Sequence, residues 1–143
     1  MYRIIVNDHF PAMHNHMMGD PAWQKRHGHV WHVAVHFLCP NITSEGITVP
    51  HDDITALVRK VLMRLEDHEL GRIFRTEGAN PAVTDETIGH YLYEAIQESL
   101  RREVGSSSAL DRSLALEKVV VWHNERVKVE FFRGMVNITS QLA

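Results

Sequence analysis

Three histidines near the start of the chain have the residue type and spacing of metal ligands. His27 and His29 are separated only by Gly28, and His14 lies thirteen positions before His27. If His29 begins a β-strand, side chains two positions apart point to the same face of the extended backbone. Gly28 leaves room for a ligand or another backbone to approach closely. A third imidazole from a neighbouring strand would complete a three-nitrogen site with one open position, which is typical of catalytic zinc.

The histidine pattern alone has low specificity. The sequence has 11 histidines among 143 residues, so about one His-x-His is expected by chance. A second such pattern is present at His14–His16. The alternative interpretation is that His14 lies in a solvated loop and His29 is only half-buried. The hypothesis of a metal site therefore depends on whether the predicted strands and loops bring these histidines together.

The composition is that of one globular domain spanning 1–143. The chain is 44% hydrophobic and 23% charged, with a net charge of −3, and it is long enough to bury a core. No basic patch indicates nucleic acid, and no apolar run approaches the length of a membrane span. The first residues resemble a strand and not a signal peptide. Cys39 is the only cysteine, so we expect a reducing, cytoplasmic environment.

Alternating apolar residues predict four strands. They cover 2–10, 29–38, 116–123 and 126–133, and the last two are joined by a tight hairpin at Asn124–Glu125. In the second strand, the odd-numbered residues share one face with His29. Because the edges of so small a sheet must be covered, the pattern also suggests a homo-oligomer.

Apolar residues at helical spacing predict two helices between the second and third strands. The first covers 52–67 and can be capped by Asp52 or Asp53, and the second covers 85–104 with Thr84 as its cap. The segments expected to be irregular are 11–26 and 71–83. The order β-β-α-α-β-β predicts an α+β fold in which two helices pack on one face of a four-stranded antiparallel sheet.

Short fragments in a fixed order carry a family resemblance. Phe10–His14 resembles an F-x-A-x-H motif and His27–His29 an H-G-H motif, and further fragments are Gly46–Val49, Leu65–His68 and Asn80-Pro81 with Glu86. Together they resemble the 6-pyruvoyl-tetrahydropterin synthase family, which includes bacterial 6-carboxytetrahydropterin synthases. The resemblance implies the tunnelling fold, in which subunits close their sheets into a barrel as a trimer or hexamer. It also implies a zinc cofactor bound by His14, His27 and His29.

The resemblance implies a reaction as well. The family uses zinc to rearrange the polyol side chain of a reduced pterin, dihydroneopterin triphosphate, in sites between subunits. Asp67 and His68 match the family's L-D-H motif, so they are the implied catalytic dyad. Adjacent residues at the end of a helix need not face each other, and the alternative is that His68 only caps the last turn of that helix.

The chain departs from the family at positions that concern the substrate. The family's catalytic cysteine falls at Trp23 or Pro21 here, and Cys39 lies too far along its strand to return to the same pocket. His123 stands where the family has a glutamate that binds the pterin ring, and Glu125 follows two residues later. We expect Trp23 and His123 to contact substrate, although Trp23 could equally pack its own loop.

Three functions remain open from the sequence. The first is a zinc-dependent lyase acting on a reduced pterin or a related phosphorylated heterocycle, with altered substrate or reaction. The second is a non-catalytic protein that binds zinc and a pterin, which the missing cysteine and glutamate favour. The third is a different enzyme on the same scaffold that holds its substrate with Trp23 and His123. Each predicts a small-molecule ligand and no nucleic-acid or membrane partner.

Overall fold

The four strands form one antiparallel sheet in which neighbours follow chain order. The computed structural model describes residues 1–14, 27–105 and 113–134. The sheet order is β1-β2-β3-β4, and no helix in these ranges is both long and apolar enough to cross a membrane. The elements are β1 (Tyr2–His14), β2 (His27–Cys39), α1 (His51–Leu62), α2 (Leu70–Thr76), α3 (Asp85–Gly105), β3 (Ala115–Trp122) and β4 (Lys128–Phe132).

The helices cover one face of the sheet, and the core lies between the two layers. α3 packs on β3 and β4, while α1 contacts both α3 and β1. The predicted alternation along β2 is confirmed, because Trp31, Val33, Val35 and Phe37 are all buried. The apolar stripe of α1 is buried as well, and it consists of Ile54, Leu57, Val58, Val61 and Leu62. This α+β architecture agrees with the predicted fold class.

The first strand and the first helix differ locally from the prediction. β1 continues through Pro11 to His14, where an irregular segment was expected, because it remains paired with β2 along its whole length. α1 begins after Pro50, which makes no side-chain cap. The predicted caps are therefore wrong. Asp52 and Asp53 lie in the first helical turn, where negative charge is favoured by the helix dipole.

A third, short helix lies where the sequence predicted irregular structure. Glu69 caps α2 by accepting hydrogen bonds from the backbone N–H groups of Gly71 and Arg72. The prediction of only two helices is therefore wrong. The predicted cap of α3 is confirmed, since Thr84 Oγ1 accepts a hydrogen bond of 3.1 Å from the N–H of Thr87.

The β3–β4 hairpin is confirmed, but its turn is longer than predicted. β3 ends at Trp122 and β4 begins at Lys128. Asn124 stabilises the turn because its Oδ1 accepts hydrogen bonds from the N–H groups of Arg126 and Val127. The strand therefore ends one residue earlier than predicted, and His123 lies in the turn.

Two ion pairs lie around His36 on the sheet. Arg3 contacts Glu117 at 2.6 Å, and Lys118 contacts Glu130 at 3.0 Å. These hydrogen bonds hold the pKa values of both glutamates below their usual range. Burial, and then the charge of Lys118, lower the pKa of His36. The surroundings of His36 therefore favour its neutral form.

Candidate functional site

His14 and His29 lie side by side where the β1–β2 ladder ends. His14 pairs with His27 and Ala12 pairs with His29, so His14 and His29 are diagonal neighbours on one face of the sheet. Their ring centroids are 5.0 Å apart. His14 is only 1% exposed, whereas His29 is open to solvent. The alternative that placed His14 in a solvated loop is therefore wrong.

Trp31 packs against both of these rings. Its centroid lies 5.1 Å from that of His14, edge to face, and 5.4 Å from that of His29. The indole is buried, so it limits the orientations that the two imidazoles can adopt. The alternation of β2 placed Trp31 on this face, but sequence reasoning gave it no role in the site.

The separation of the His14 and His29 rings is compatible with a shared zinc ion. Two imidazoles bound to one tetrahedral zinc have centroids roughly 5 Å apart, which agrees with the 5.0 Å observed. Among the side chains that the structure describes, no three metal-ligating residues come together. The third predicted ligand, His27, has its backbone opposite His14, and its side chain lies outside the described part of the chain. Two of the three predicted nitrogen donors are thus adjacent.

A cleft of about 260 Å³ opens beside the histidine pair. One side is formed by the end of β1 with His14 and by β2 with His29 and Trp31. The other side comes from the beginning of α3 and the end of β3 and includes Thr84, Asp85, Glu86, Trp122 and His123. The predicted substrate-binding residue His123 therefore faces the predicted metal ligands, whereas Trp23 lies outside the described residues.

His123 is hydrogen-bonded to a carboxylate that sequence reasoning did not select. Its Nδ1 lies 2.9 Å from Oδ2 of Asp85. The Asp85 side chain is 14% exposed and that of His123 is 61% exposed. Asp85 is in the first turn of α3, where the helix dipole favours a negative charge. The carboxylate beside His123 is thus Asp85 and not the nearby Glu125.

Asp67 and His68 lie at the outer edge of β1. The N–H of Asp67 donates to the carbonyl of Pro11 at 2.7 Å, and the N–H of Met13 donates to the carbonyl of His68 at 2.9 Å. Asp67 has a φ of 60°, the only positive value among the described non-glycine residues. This left-handed conformation is costly for a residue with a Cβ, and such strain is common at functional sites.

The predicted dyad lines a second cleft. Asp67 and His68 border a space of about 470 Å³ together with Arg72, and Asp67 also borders an adjoining cleft with His29. His68 Nδ1 donates to the carbonyl of Glu66 at 2.7 Å, so this nitrogen does not bind Asp67. Because α1 has ended several residues earlier, the alternative that His68 caps its last turn is wrong.

Comparison with known proteins agrees with this architecture. The structure is similar to the 6-pyruvoyl tetrahydropterin synthase of Caenorhabditis elegans, with a TM-score of 0.64, 16% identity and coverage of 92% of this chain and 95% of that one. It is also similar to the Plasmodium vivax 6-pyruvoyltetrahydropterin synthase carrying a glutamate-to-alanine change of a catalytic residue (TM-score 0.63, 15% identity, coverage 92% and 97%). An uncharacterized protein from Wolinella succinogenes has a TM-score of 0.53 and 14% identity, with coverage of 92% and 98%.

The family assignment comes from the sequence. No curated protein matches the chain, and the structural similarities at these identities show the fold alone. The family model of 6-pyruvoyl tetrahydropterin synthase, however, matches residues 3–133. This range includes all of β1 but its first residue, together with β2, the three helices α1 to α3 and both strands of the hairpin. The chain therefore belongs to the 6-pyruvoyl tetrahydropterin synthase family.

Proposed function

We propose that this protein is a zinc-dependent lyase that acts on a reduced pterin, dihydroneopterin triphosphate or a relative, with an altered substrate or reaction. The family consists of lyases of pterin metabolism. The observation that carries the proposal is the His14–His29 pair, with ring centroids 5.0 Å apart, at one side of an open cleft. His27 is the proposed third ligand.

The chain's own residues would bind and orient the metal. His14, His27 and His29 would hold zinc as neutral imidazoles, and three protein ligands leave a position for substrate. Zinc, when bound, supplies a Lewis acid that polarises substrate oxygen atoms. Trp31 keeps the His14 and His29 rings in place by its contacts with both. Burial of His14 also excludes water from that side of the site.

The opposite side of the cleft supports an altered substrate or reaction. A glutamate would present two acceptor oxygens to a ring with two N–H donors, whereas the imidazole of His123 cannot accept two such bonds. Asp67 and His68 remain proposed acid–base groups at the adjoining clefts. The guanidinium of Arg72 borders the same cleft and is suited to a phosphate group.

An uncovered face of the sheet supports a homo-oligomer, which we propose to be a trimer or hexamer. Ile5, Val30 and Phe132 are 50%, 53% and 45% exposed. The strand register places all three on the sheet face that the helices leave open. They do not form one continuous patch, because His36 and Lys118 lie between Ile5 and Phe132 in the strand register. The support for an oligomer is therefore that this sheet face has no covering layer within the described part of the chain.

Zinc binding is the first test. Purified protein is loaded with zinc, dialysed and analysed for metal by mass spectrometry, beside His14→Ala, His27→Ala and His29→Ala. We expect wild type to retain zinc and each variant to lose it. His32→Ala is the matched control, because His32 is an exposed histidine of β2 on the opposite face. Equal zinc content in wild type and all three variants would contradict the proposed ligand set.

Turnover is the second test. The zinc-loaded protein is incubated with dihydroneopterin triphosphate, and pterin products and released phosphates are followed by chromatography. Release of triphosphate or of an aldehyde fragment supports a lyase. Tight binding without product instead supports the second candidate, a non-catalytic zinc- and pterin-binding protein, which the missing cysteine and glutamate favour. Absence of both binding and product refutes a pterin ligand.

A further inference from the structure

The cleft contains a carboxylate–imidazole pair that is formed within one chain. Asp85 Oδ2 lies 2.9 Å from His123 Nδ1. Because an ionised carboxylate can only accept, the ring nitrogen in this bond carries the proton. The other ring nitrogen, Nε2, then has a lone pair that can accept a proton. In Asp–His pairs of known enzymes, the carboxylate fixes this tautomer and stabilises the imidazolium that forms.

Asp85 and His123 also differ in solvent exposure, as is expected of a carboxylate that orients an imidazole and an imidazole that meets a substrate. Asp85 is 14% exposed and His123 is 61% exposed, so the carboxylate is sheltered while the imidazole remains accessible. Both line the cleft that His14 and His29 border. A substrate lying against His14 and His29 would therefore also meet the ring of His123.

We propose that His123 is the proton-accepting catalytic residue of this cleft and that Asp85 is its positioning residue. The proposal rests on the lyase function proposed above. His123 Nε2 takes a proton from a substrate C–H bond next to a C=N or C=O group. The electron pair of the broken bond moves into that group, and the imidazolium returns the proton to the substrate. The step is a rearrangement that needs no oxidant or reductant.

Two other groups are less suited to this role. His68 Nδ1 donates to the Glu66 carbonyl, which is uncharged and stabilises an imidazolium less than a carboxylate does. His68 also borders a different cleft from the one that contains His14. Cys39 is fully buried, and its Sγ is hydrogen-bonded to the carbonyl of Asn41. His123, by contrast, is held by a carboxylate and lines the cleft that His14 and His29 border.

The test uses zinc-loaded wild type, His123→Gln and Asp85→Asn, with Glu125→Gln as the matched control. Glu125 is an exposed carboxylate of the same turn. Long-range ¹H–¹⁵N spectra report the His123 tautomer without any substrate. We expect the proton on Nδ1 in wild type and a shift of the proton towards Nε2 in Asp85→Asn. Zinc content and circular dichroism establish that each variant is folded.

Kinetics in D₂O test the base itself. We expect His123→Gln to lower kcat and the rate of deuterium uptake into substrate together, by about 10²–10⁴-fold, with KM changed less than about threefold. Asp85→Asn should lower both rates by about 10²-fold or more, and Glu125→Gln should change neither. A His123→Gln variant that raises KM but keeps kcat makes His123 a binding residue and overturns the proposal.

Further outcomes separate this proposal from the function on which it rests. A wild-type tautomer with the proton on Nε2, or a tautomer unchanged by Asp85→Asn, overturns the role of Asp85 even if the enzyme is active. Active wild type with an unaffected His123→Gln variant leaves the lyase function intact and overturns only the base. Wild type that binds zinc but neither exchanges deuterium nor forms product overturns the lyase function and the base together.

Discussion

Replacing Asp67 by glycine and by alanine separates backbone strain from carboxylate chemistry. Asp67 has a φ of 60°, where a Cβ costs about 1–2 kcal/mol. Both variants lack the carboxylate, but only alanine keeps the Cβ. Glycine loses about 0.5–1 kcal/mol through its greater freedom in the unfolded chain. The difference leaves Asp67→Gly about 1 kcal/mol more stable than Asp67→Ala, which is the reverse of the order found in helices.

Urea unfolding at one fixed protein concentration measures this difference. A gap of about 1 kcal/mol corresponds to roughly 3 °C in Tm for a chain of this size, so thermal scans provide a second readout. An alanine variant as stable as the glycine variant would refute the strain argument. Turnover gives an independent result: equal loss in both variants assigns the loss to the missing carboxylate, while loss in Asp67→Gly alone assigns it to a loosened backbone.

The remaining predictions concern the core, a helix cap and acid stability. Phe74 is fully buried and stacks on Tyr91 with centroids 4.7 Å apart, so Phe74→Ala should lower the free energy of unfolding by about 3–5 kcal/mol and Phe74→Leu by clearly less in urea titrations. Thr84→Ala should lower the free energy of unfolding by about 1 kcal/mol in the same assay, whereas Thr84→Ser should lower it less because serine keeps the capping oxygen. Equal losses of stability in the two variants would contradict the role of Thr84 as a cap. Because burial and Lys118 lower the folded-state pKa of His36, the unfolded state binds more protons below about pH 6.5. The neutral His36 therefore favours folding above that pH, and this stability is lost as the pH falls. Tm should consequently fall less on acidification in His36→Asn than in wild type. An equal fall in both proteins would disprove this contribution.

The order of the main elements could be predicted because it depends on local periodicity. Alternation from Trp31 to Phe37 indicates a strand with one buried face, and the structure has that face. The short helix α2 has only seven residues, one of which is Gly71, and these are too few for a clear helical pattern. The full length of β1 depends on its pairing with β2, which the composition around Pro11 does not reveal.

The candidate site was predictable only where its residues are close in sequence or carry the family motifs. His14 and His29 are neighbours because antiparallel pairing brings matching faces together. Asp85 and His123 are 38 positions apart, and they meet only when α3 docks on the sheet. No spacing rule predicts that contact. The orientation of His68 is likewise set by a backbone carbonyl that a sequence motif does not specify.

The bridge between β1 and the segment after α1 constrains how the sheet could grow. Two backbone hydrogen bonds, Asp67 N–H to the Pro11 carbonyl and Met13 N–H to the His68 carbonyl, occupy the outer edge of β1. Met13 also forms a parallel bridge with Glu69. A strand donated by another copy at this edge would have to align along Tyr2–Phe10, a stretch of roughly 30 Å. Its end would then abut Asp67, so the quaternary contact would bring side chains of a second molecule to the rim of the cleft that Asp67 shares with His29.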